Sequence, residues 1–249
     1  GGWNNDEAPR GTDEFSIIEV LKQGLALFVD NLMPFASTVA LVFSPYLIYL
    51  LLATLTYDGN ISEDQYRWTF NYLPNLLTMV LGPLAAAAVT FGVSARLRGE
   101  SMSVSECVNG GLSRIGTYIG VALVTGLAIG LGLLLFVIPG LIVMCVLAVA
   151  APAAVVEGSS ISDALGRSAA LTRGNRFGVF GLLFLLGLIG IVVNWLLEGV
   201  VGAEDSLSGF KLYLLLSLPV TVALKTLVAT TSVVLFFTLR QVKEGTPPG

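Results

Sequence analysis

Few side chains in this sequence can do covalent chemistry. It contains no His, so a Ser or Cys nucleophile has no imidazole base. No Cys pair or carboxylate cluster has the spacing of a metal site. Catalytic, cofactor-binding and metal-binding residues are therefore expected to be absent. The residue that stands out is Lys225, inside a long apolar run, fourteen positions after Lys211 and fifteen before Arg240. On a helix that is about 20 Å from either one. A Lys in mid-span costs roughly 2.5–3.5 kcal/mol by insertion scales, so something must compensate it. Two readings fit. Lys225 faces a polar cavity and neutralises a lipid phosphate, an anionic substrate or a carboxylate, with Asn194 as a hydrogen-bonding neighbour and Glu157 and Glu198 as more distant carboxylates. Alternatively it is internally paired, or neutral.

The other charges divide by position. Arg96, Arg98, Arg114, Arg167, Arg173 and Arg176 suit anionic lipid headgroups, at about 1 kcal/mol for each cation near the surface, or serve only to fix topology. Asp58, Glu63, Asp64, Glu204 and Asp205 read as solvated loop acids that could also attract cations. With a net charge of -4 and no basic cluster, nucleic acid is excluded as a partner. Membrane lipids, and a membrane partner or a second copy of the chain, remain. Cys107 and Cys145 read as packing residues.

The elements that hold these residues follow from composition. Of the 249 residues, 55% are hydrophobic and only 12% charged, against about 25% charged in a soluble domain. A span needs roughly 20 mainly apolar residues. Six such runs are expected: Leu32 to Tyr57, Trp68 to Ala95, Tyr118 to Val137, Leu141 to Val156, Phe177 to Val200 and Leu212 to Leu239. The third and fourth are joined by the hairpin Ile138-Pro139-Gly140. With both termini inside, ten of the thirteen Lys and Arg lie on the inner side, with only Arg67 and Lys211 outside. That distribution predicts cytoplasmic termini.

An internal repeat appears when the segments before spans one, three and five are aligned. Ser16 precedes Glu19, Ser103 precedes Glu106 and Ser160 precedes Asp163, each by three positions. This spacing predicts a capping box, in which the hydroxyl accepts from the third backbone N–H and the carboxylate reaches back to the Ser N–H. After the first cap, Ile18, Leu21, Leu25 and Phe28 share one helical face and Glu19, Gln23 and Asp30 the other. A helix of that pattern lies flat on a membrane.

The expected fold is an all-α integral membrane protein. It has six transmembrane helices, arranged as three repeats of an amphipathic interfacial helix plus a transmembrane hairpin, over about 15–98, 102–157 and 159–240. Polar tails occupy 1–14 and 241–249. Pro45, Pro74, Pro83, Pro152 and Pro219 fall within or near spans and can kink them. Gly116, Gly120, Gly126, Gly130 and Gly132 permit close packing of span three, within the chain or between copies.

The stretch Ile138-Pro139-Gly140 through Pro152, Val156-Glu157-Gly158, Ile161 to Leu165, Arg167-Ser168 and Leu171 to Gly174, with a weaker match over Ser16 to Pro45, resembles a known membrane domain. It precedes the catalytic domain of some bacterial glycerophosphoryl diester phosphodiesterases and also occurs in stand-alone membrane proteins. The resemblance implies a bacterial inner membrane. The His- and metal-dependent catalytic domain of those enzymes is absent here, and their activity is not implied. Three function classes follow. The first is a non-enzymatic membrane protein associating with lipids or a partner complex, the second a transporter or channel with Lys225 in its pathway, and the third, least favoured, an enzyme acting on lipids.

Overall fold

The computed structural model describes residues 16–57, 60, 62–201 and 207–245; for 198, 200–201, 207–215 and 218 it describes backbone alone. The described residues form helices and connections, with no strand among them. In order they are α1 (Ile17–Asp30), α2 (Leu32–Val42), α3 (Ser44–Thr56), α4 (Glu63–Tyr66), a π-helical segment (Arg67–Tyr72), α5 (Leu73–Leu97), α6 (Val104–Ser113) and α7 (Ile115–Leu135). There follow α8 (Val137–Val146), α9 (Ala150–Glu157), α10 (Ile161–Thr172), α11 (Arg176–Val201) and α12 (Leu207–Glu244). Asp58, Glu204, Asp205 and the tails 1–14 and 246–249 lie outside the described residues, and the side chains of Glu198 and Lys211 are not described.

Among the described residues, five segments are long and apolar enough to cross a bilayer: Glu63–Leu97, Ile115–Leu135, Val137–Glu157, Arg176–Leu197 and Pro219–Glu244. This is compatible with an all-α, multi-pass membrane protein. The expected first span, Leu32 to Tyr57, is not one helix. It breaks at Phe43, because Pro45 has no N–H to give the Leu41 carbonyl and its ring crowds that carbonyl. A sixth crossing is reached only when α1 and α2, bent by 76°, are taken together. At that bend the Asn31 side-chain amide donates to the Leu27 carbonyl at 3.1 Å.

The prolines divide by position. Pro45, Pro74 and Pro152 sit in first turns, where a helix has no use for their N–H. Only Pro83 and Pro219 lie inside helices. The expected hairpin turn at 138–140 shifts to Phe136, and Pro139 joins the first turn of α8. The two arms meet where a Cβ on Gly132 would stand 2.8 Å from the Gly140 Cα.

The three expected caps diverge. At Ser103 the box is complete: its Oγ accepts from the Glu106 N–H at 3.3 Å, and its own N–H donates to the Glu106 carboxylate at 2.7 Å. The Ser103 N–H foremost, and then its hydroxyl, which also donates to the carboxylate at 2.8 Å, hold the Glu106 carboxyl below its ordinary range. At Ser160 only the hydroxyl half forms, with Asp163 N–H donating to it at 3.3 Å, because an aspartate is one carbon too short to reach back. At Ser16 there is no side-chain cap; the Glu19 carboxylate instead accepts from the Gln23 amide one turn on, at 3.3 Å. A further box, at Ser62 and Gln65, opens α4. It places Glu63 and Asp64 in a first helical turn instead of a loop, with Glu63 paired to Arg67 at 2.6 Å.

Each of the three helices after these serines packs on another helix: α6 on α5, α10 on α9 and α1 on α12. The contacts recur at matching positions. Four residues after each Ser stand Val20, Cys107 and Ala164, all buried, and eight after stand Gly24, Gly111 and Ser168, also buried. A Cβ on Gly111 would lie 2.6 Å from the Ala88 backbone, and one on Gly24 2.7 Å from the Thr231 hydroxyl. In α1 the buried face is therefore Val20 and Gly24, and the expected apolar face leaves Ile18 and Leu25 exposed.

Ser168 has a further task. Between α8 and α9 the backbone leaves the helix over 147–149. Ser168 Oγ donates to the Val146 carbonyl at 2.7 Å and accepts from the Val149 N–H at 3.3 Å. One side chain thus closes both ends of a break inside an apolar layer, where unpaired backbone groups are costly.

Two outcomes are expected. Gly111→Ala should lower thermal stability in detergent by about 1–3 kcal/mol, the cost of overpacking a tight contact. Gly126→Ala, which meets open space, should be neutral or stabilising by up to about 1 kcal/mol, because Ala is the better helix former. Likewise Ser103→Ala should cost about 0.5–2 kcal/mol as a lost cap, whereas Ser16→Ala, with no cap to lose, should cost little. Melting temperatures of the four variants check both.

Candidate functional site

Lys225, itself exposed, lines a half-open cavity of about 340 Å³ between α2, α5, α7, α9 and α12. Two helices supply matching faces. From α5 come Gly82, Ala85, Ala86 and Val89, and from α12 come Lys225, Val228, Ala229 and Ser232. Both sets follow the i, i+3, i+4, i+7 spacing of one helical face. Small side chains leave the volume open, and a Cβ on Gly82 would meet nothing within 4 Å. Thr90 and Tyr118 add hydroxyls to the wall. Ser232 Oγ donates to the Val228 carbonyl of its own helix at 2.8 Å. A smaller space of about 40 Å³ also reaches Lys225, lined by Phe43, Tyr46, Leu47, Thr78, Ser217, Thr221 and Val222.

The expected neighbours of Lys225 are elsewhere. Asn194 lines neither space; its side-chain amide donates to the Gly190 carbonyl one turn back in α11, at 2.8 Å. Glu157 is engaged by Arg167 Nε at 3.0 Å. Among the described residues no carboxylate lies within ion-pair distance of Lys225. The cation thus faces a largely apolar space with hydroxyls and no counter-charge.

A second polar group lies where α9, α10 and α12 end. Arg167 of α10 binds Glu157 and also grips Glu244, whose second oxygen accepts from its Nη2 at 2.9 Å. Arg240 Nε donates to the same Glu244 carboxylate at 3.3 Å. The bond to Glu244 foremost, and that to Glu157, raise the Arg167 pKa above its ordinary value. Arg167 is thereby spoken for by protein carboxylates, against the expectation that it meets lipid. Arg98 pairs with Glu100 at 3.4 Å, and the Arg114 guanidinium stands 5.5 Å from the Phe91 ring centroid, in cation–π range. Arg96, Arg173 and Arg176 have no ion pair among the described residues.

Away from those ends, an aromatic cluster surrounds the π-helical segment. Phe70 lies 5.2 Å from Tyr57 and 5.3 Å from Tyr66, and Trp68 5.2 Å from Tyr72. The wider turn frees the Thr69 carbonyl to accept from the Tyr49 hydroxyl at 2.9 Å. Such rings favour a membrane–water interface. Cys107 and Cys145 are free and buried. No group of three or more His, Cys, Asp or Glu among the described residues could hold a metal.

Compared with known families, residues 68–242 match a domain of unknown function, DUF7847. The chain belongs to this family. The DUF7847 match takes in α5 through most of α12, and with them Lys225, Glu157, Arg167 and Arg240 but not Glu244, and it carries no link to glycerophosphoryl diester phosphodiesterases. No curated protein and no solved structure is significantly similar to this DUF7847 chain.

The sequence pattern alone could have placed Val228, Ala229 and Ser232 beside Lys225, since they share its helical face. Nothing local could have paired Arg167 with Glu244, 77 positions away. A double-mutant cycle on that pair should give a coupling of about 1 kcal/mol or more, since Arg167 also bridges Glu157. Arg167→Lys should lose part of it, because an ammonium cannot make the two-pronged contact. Unfolding in detergent at two salt concentrations reads both effects, with the coupling smaller at high salt.

Proposed function

We propose that the protein is a non-enzymatic, multi-pass protein of a bacterial inner membrane that binds an anionic lipid-like molecule at Lys225. The observation that carries this is a cation without a counter-charge, lining a cavity of about 340 Å³ whose other walls are mostly methyl groups. That volume falls within the roughly 300–1,000 Å³ typical of small-molecule sites. A hydrophilic solute would ask for many polar contacts. An amphiphile asks for one charge, a few hydroxyls and an apolar wall, which Lys225, Thr90, Tyr118 and the alanines supply. The missing His argues against catalysis by imidazole. The bacterial placement rests on the resemblance to phosphodiesterase membrane domains.

The matching contacts at Gly24, Gly111 and Ser168 support three repeats of a surface helix and a hairpin, with both termini cytoplasmic. On that reading the Arg167 cluster and the unpaired Arg96, Arg173 and Arg176 form a basic inner rim, and the aromatic cluster lies at the outer face. A carrier is the second reading, favoured by the space of about 40 Å³ that also reaches Lys225. In that case the bound molecule passes the cation between the two spaces.

Extraction of lipids from the purified protein tests the binding. An anionic amphiphile should co-purify with the parent, fall at least several-fold with Lys225→Met, and fall equally with Gly82→Leu, which fills the cavity and keeps the charge. Equal retention by all three proteins rejects the proposal. Flux of the identified molecule in proteoliposomes, present in the parent and lost with Lys225→Met, would select the carrier.

A further inference from the structure

A second apolar groove lies between α8 and α11, with a volume of about 370 Å³. Its walls are Ile138, Leu141 and Ile142 from α8 and Phe177 and Phe180 from α11, with buried Cys145 also lining it. Ile138 is 71% exposed and Phe177 95%, an arrangement suited to lipid and poorly suited to water. The groove runs about 10 Å along α8, from Ile138 to Cys145. Arg176 is its one charged lining residue. No residue lines both this groove and the Lys225 cavity.

The charges around Arg176 are what call for a ligand. The turn from α10 into α11 passes through Gly174, at φ +91°. Arg173 precedes it and Arg176 follows by two. The Lys243 ammonium reaches over the same turn, 3.7 Å from where a Gly174 Cβ would stand. None of the three has an ion pair among the described residues. The nearby carboxylates are engaged elsewhere, Glu157 and Glu244 by Arg167 and Arg240. The start of α11 adds the positive end of a helix dipole. Around this one turn, three cations without a carboxylate partner among the described residues and a helix start would all be favoured by a shared anion.

We propose that this is a binding site for one anionic phospholipid of the surrounding bilayer. Its phosphate lies among Arg173, Arg176 and Lys243, and one acyl chain lies in the α8–α11 groove. The charge selects the headgroup, and the apolar walls select a membrane lipid over a free phosphate. A basic pocket between spanning helices is a known way of holding acidic lipid headgroups.

Native mass spectrometry of the full chain in detergent tests this, with phosphatidylglycerol and phosphatidylcholine of matched chains as probes. The parent should retain phosphatidylglycerol preferentially. The double variant Arg173→Gln/Arg176→Gln should lose that preference by on the order of tenfold, given two cations removed near the headgroup. Arg176→Lys should keep most of it. Ile142→Trp, which fills the groove, should weaken retention of both lipids. Soluble glycerophosphoglycerol should not compete. Because Lys225 holds an anion of its own in the function proposed above, the comparison is repeated in the Lys225→Met background. Phosphatidylglycerol should still be preferred there, and the double Gln change should still remove that preference, which separates this site from the cavity. An unchanged preference in the double Gln variant of that background overturns the proposal, as does the absence of any preference in Lys225→Met alone or competition by glycerophosphoglycerol at the same concentration as the lipid.

Discussion

The arrangement hangs on how closely three short helices can approach the long helices beneath them. α6 meets α5 where Gly111 faces the Ala88 backbone, and α1 meets α12 where Gly24 faces Thr231. α10 meets the chain between α8 and α9 through Ser168. In an apolar medium helices gain little by hiding hydrophobic surface, and close contact between small residues takes over as the attraction. Each contact fixes where the next helix begins, since α2, α7 and α11 follow α1, α6 and α10 after a brief turn. The cavity is a consequence of that placement. Helices held apart by their docked neighbours, and lined on their facing sides by Gly and Ala, do not close the gap between them.

The same medium sorts the cations. A guanidinium with carboxylates in reach takes them, as Arg167 takes Glu157 and Glu244 from two other helices. This ties the end of α12 to α9 and α10, so that the helix carrying Lys225 is held at its far end by charge. Among the described residues Lys225, Arg173, Arg176 and Lys243 have no carboxylate within ion-pair distance. Charges in a medium of low polarity need a partner more than charges in water do.

The sequence made some of this legible and hid the rest for identifiable reasons. Long apolar runs report span existence, because length and hydropathy are local. Span edges depended on single residues: Pro45 breaks the first run at Phe43, and Pro139 is absorbed into α8. The serine caps were visible as a spacing, but one methylene separates the complete box of Glu106 from the half box of Asp163. A glutamine one turn on draws Glu19 away from Ser16. Asn194 looked like a partner for Lys225 because both are polar in apolar surroundings. Its amide was already satisfied by Gly190 in its own helix, as an isolated amide in an apolar helix tends to be. The residues of α1 that face the protein, Val20 and Gly24, lie to one side of the apolar face that leaves Ile18 and Leu25 exposed, and only tertiary contact selects them.

The cavity shows how related faces can acquire different chemistry. Gly82, Ala85, Ala86 and Val89 of α5 and Lys225, Val228, Ala229 and Ser232 of α12 share one spacing. Moreover, Ala88, six positions after Gly82, and Thr231, six after Lys225, receive equivalent contacts from Gly111 and Gly24. The two faces therefore occupy corresponding places. At one end of the matched pair stand Gly and Lys, and at the other Val and Ser. Within these two matched sets the charge and the hydroxyl fall on α12, while Thr90 adds a hydroxyl from α5. At the α5 position that corresponds to Lys225, a Cβ on Gly82 would meet nothing within 4 Å, so that wall leaves open space. The space thus combines one cation and a few hydroxyls with walls made largely of methyl groups.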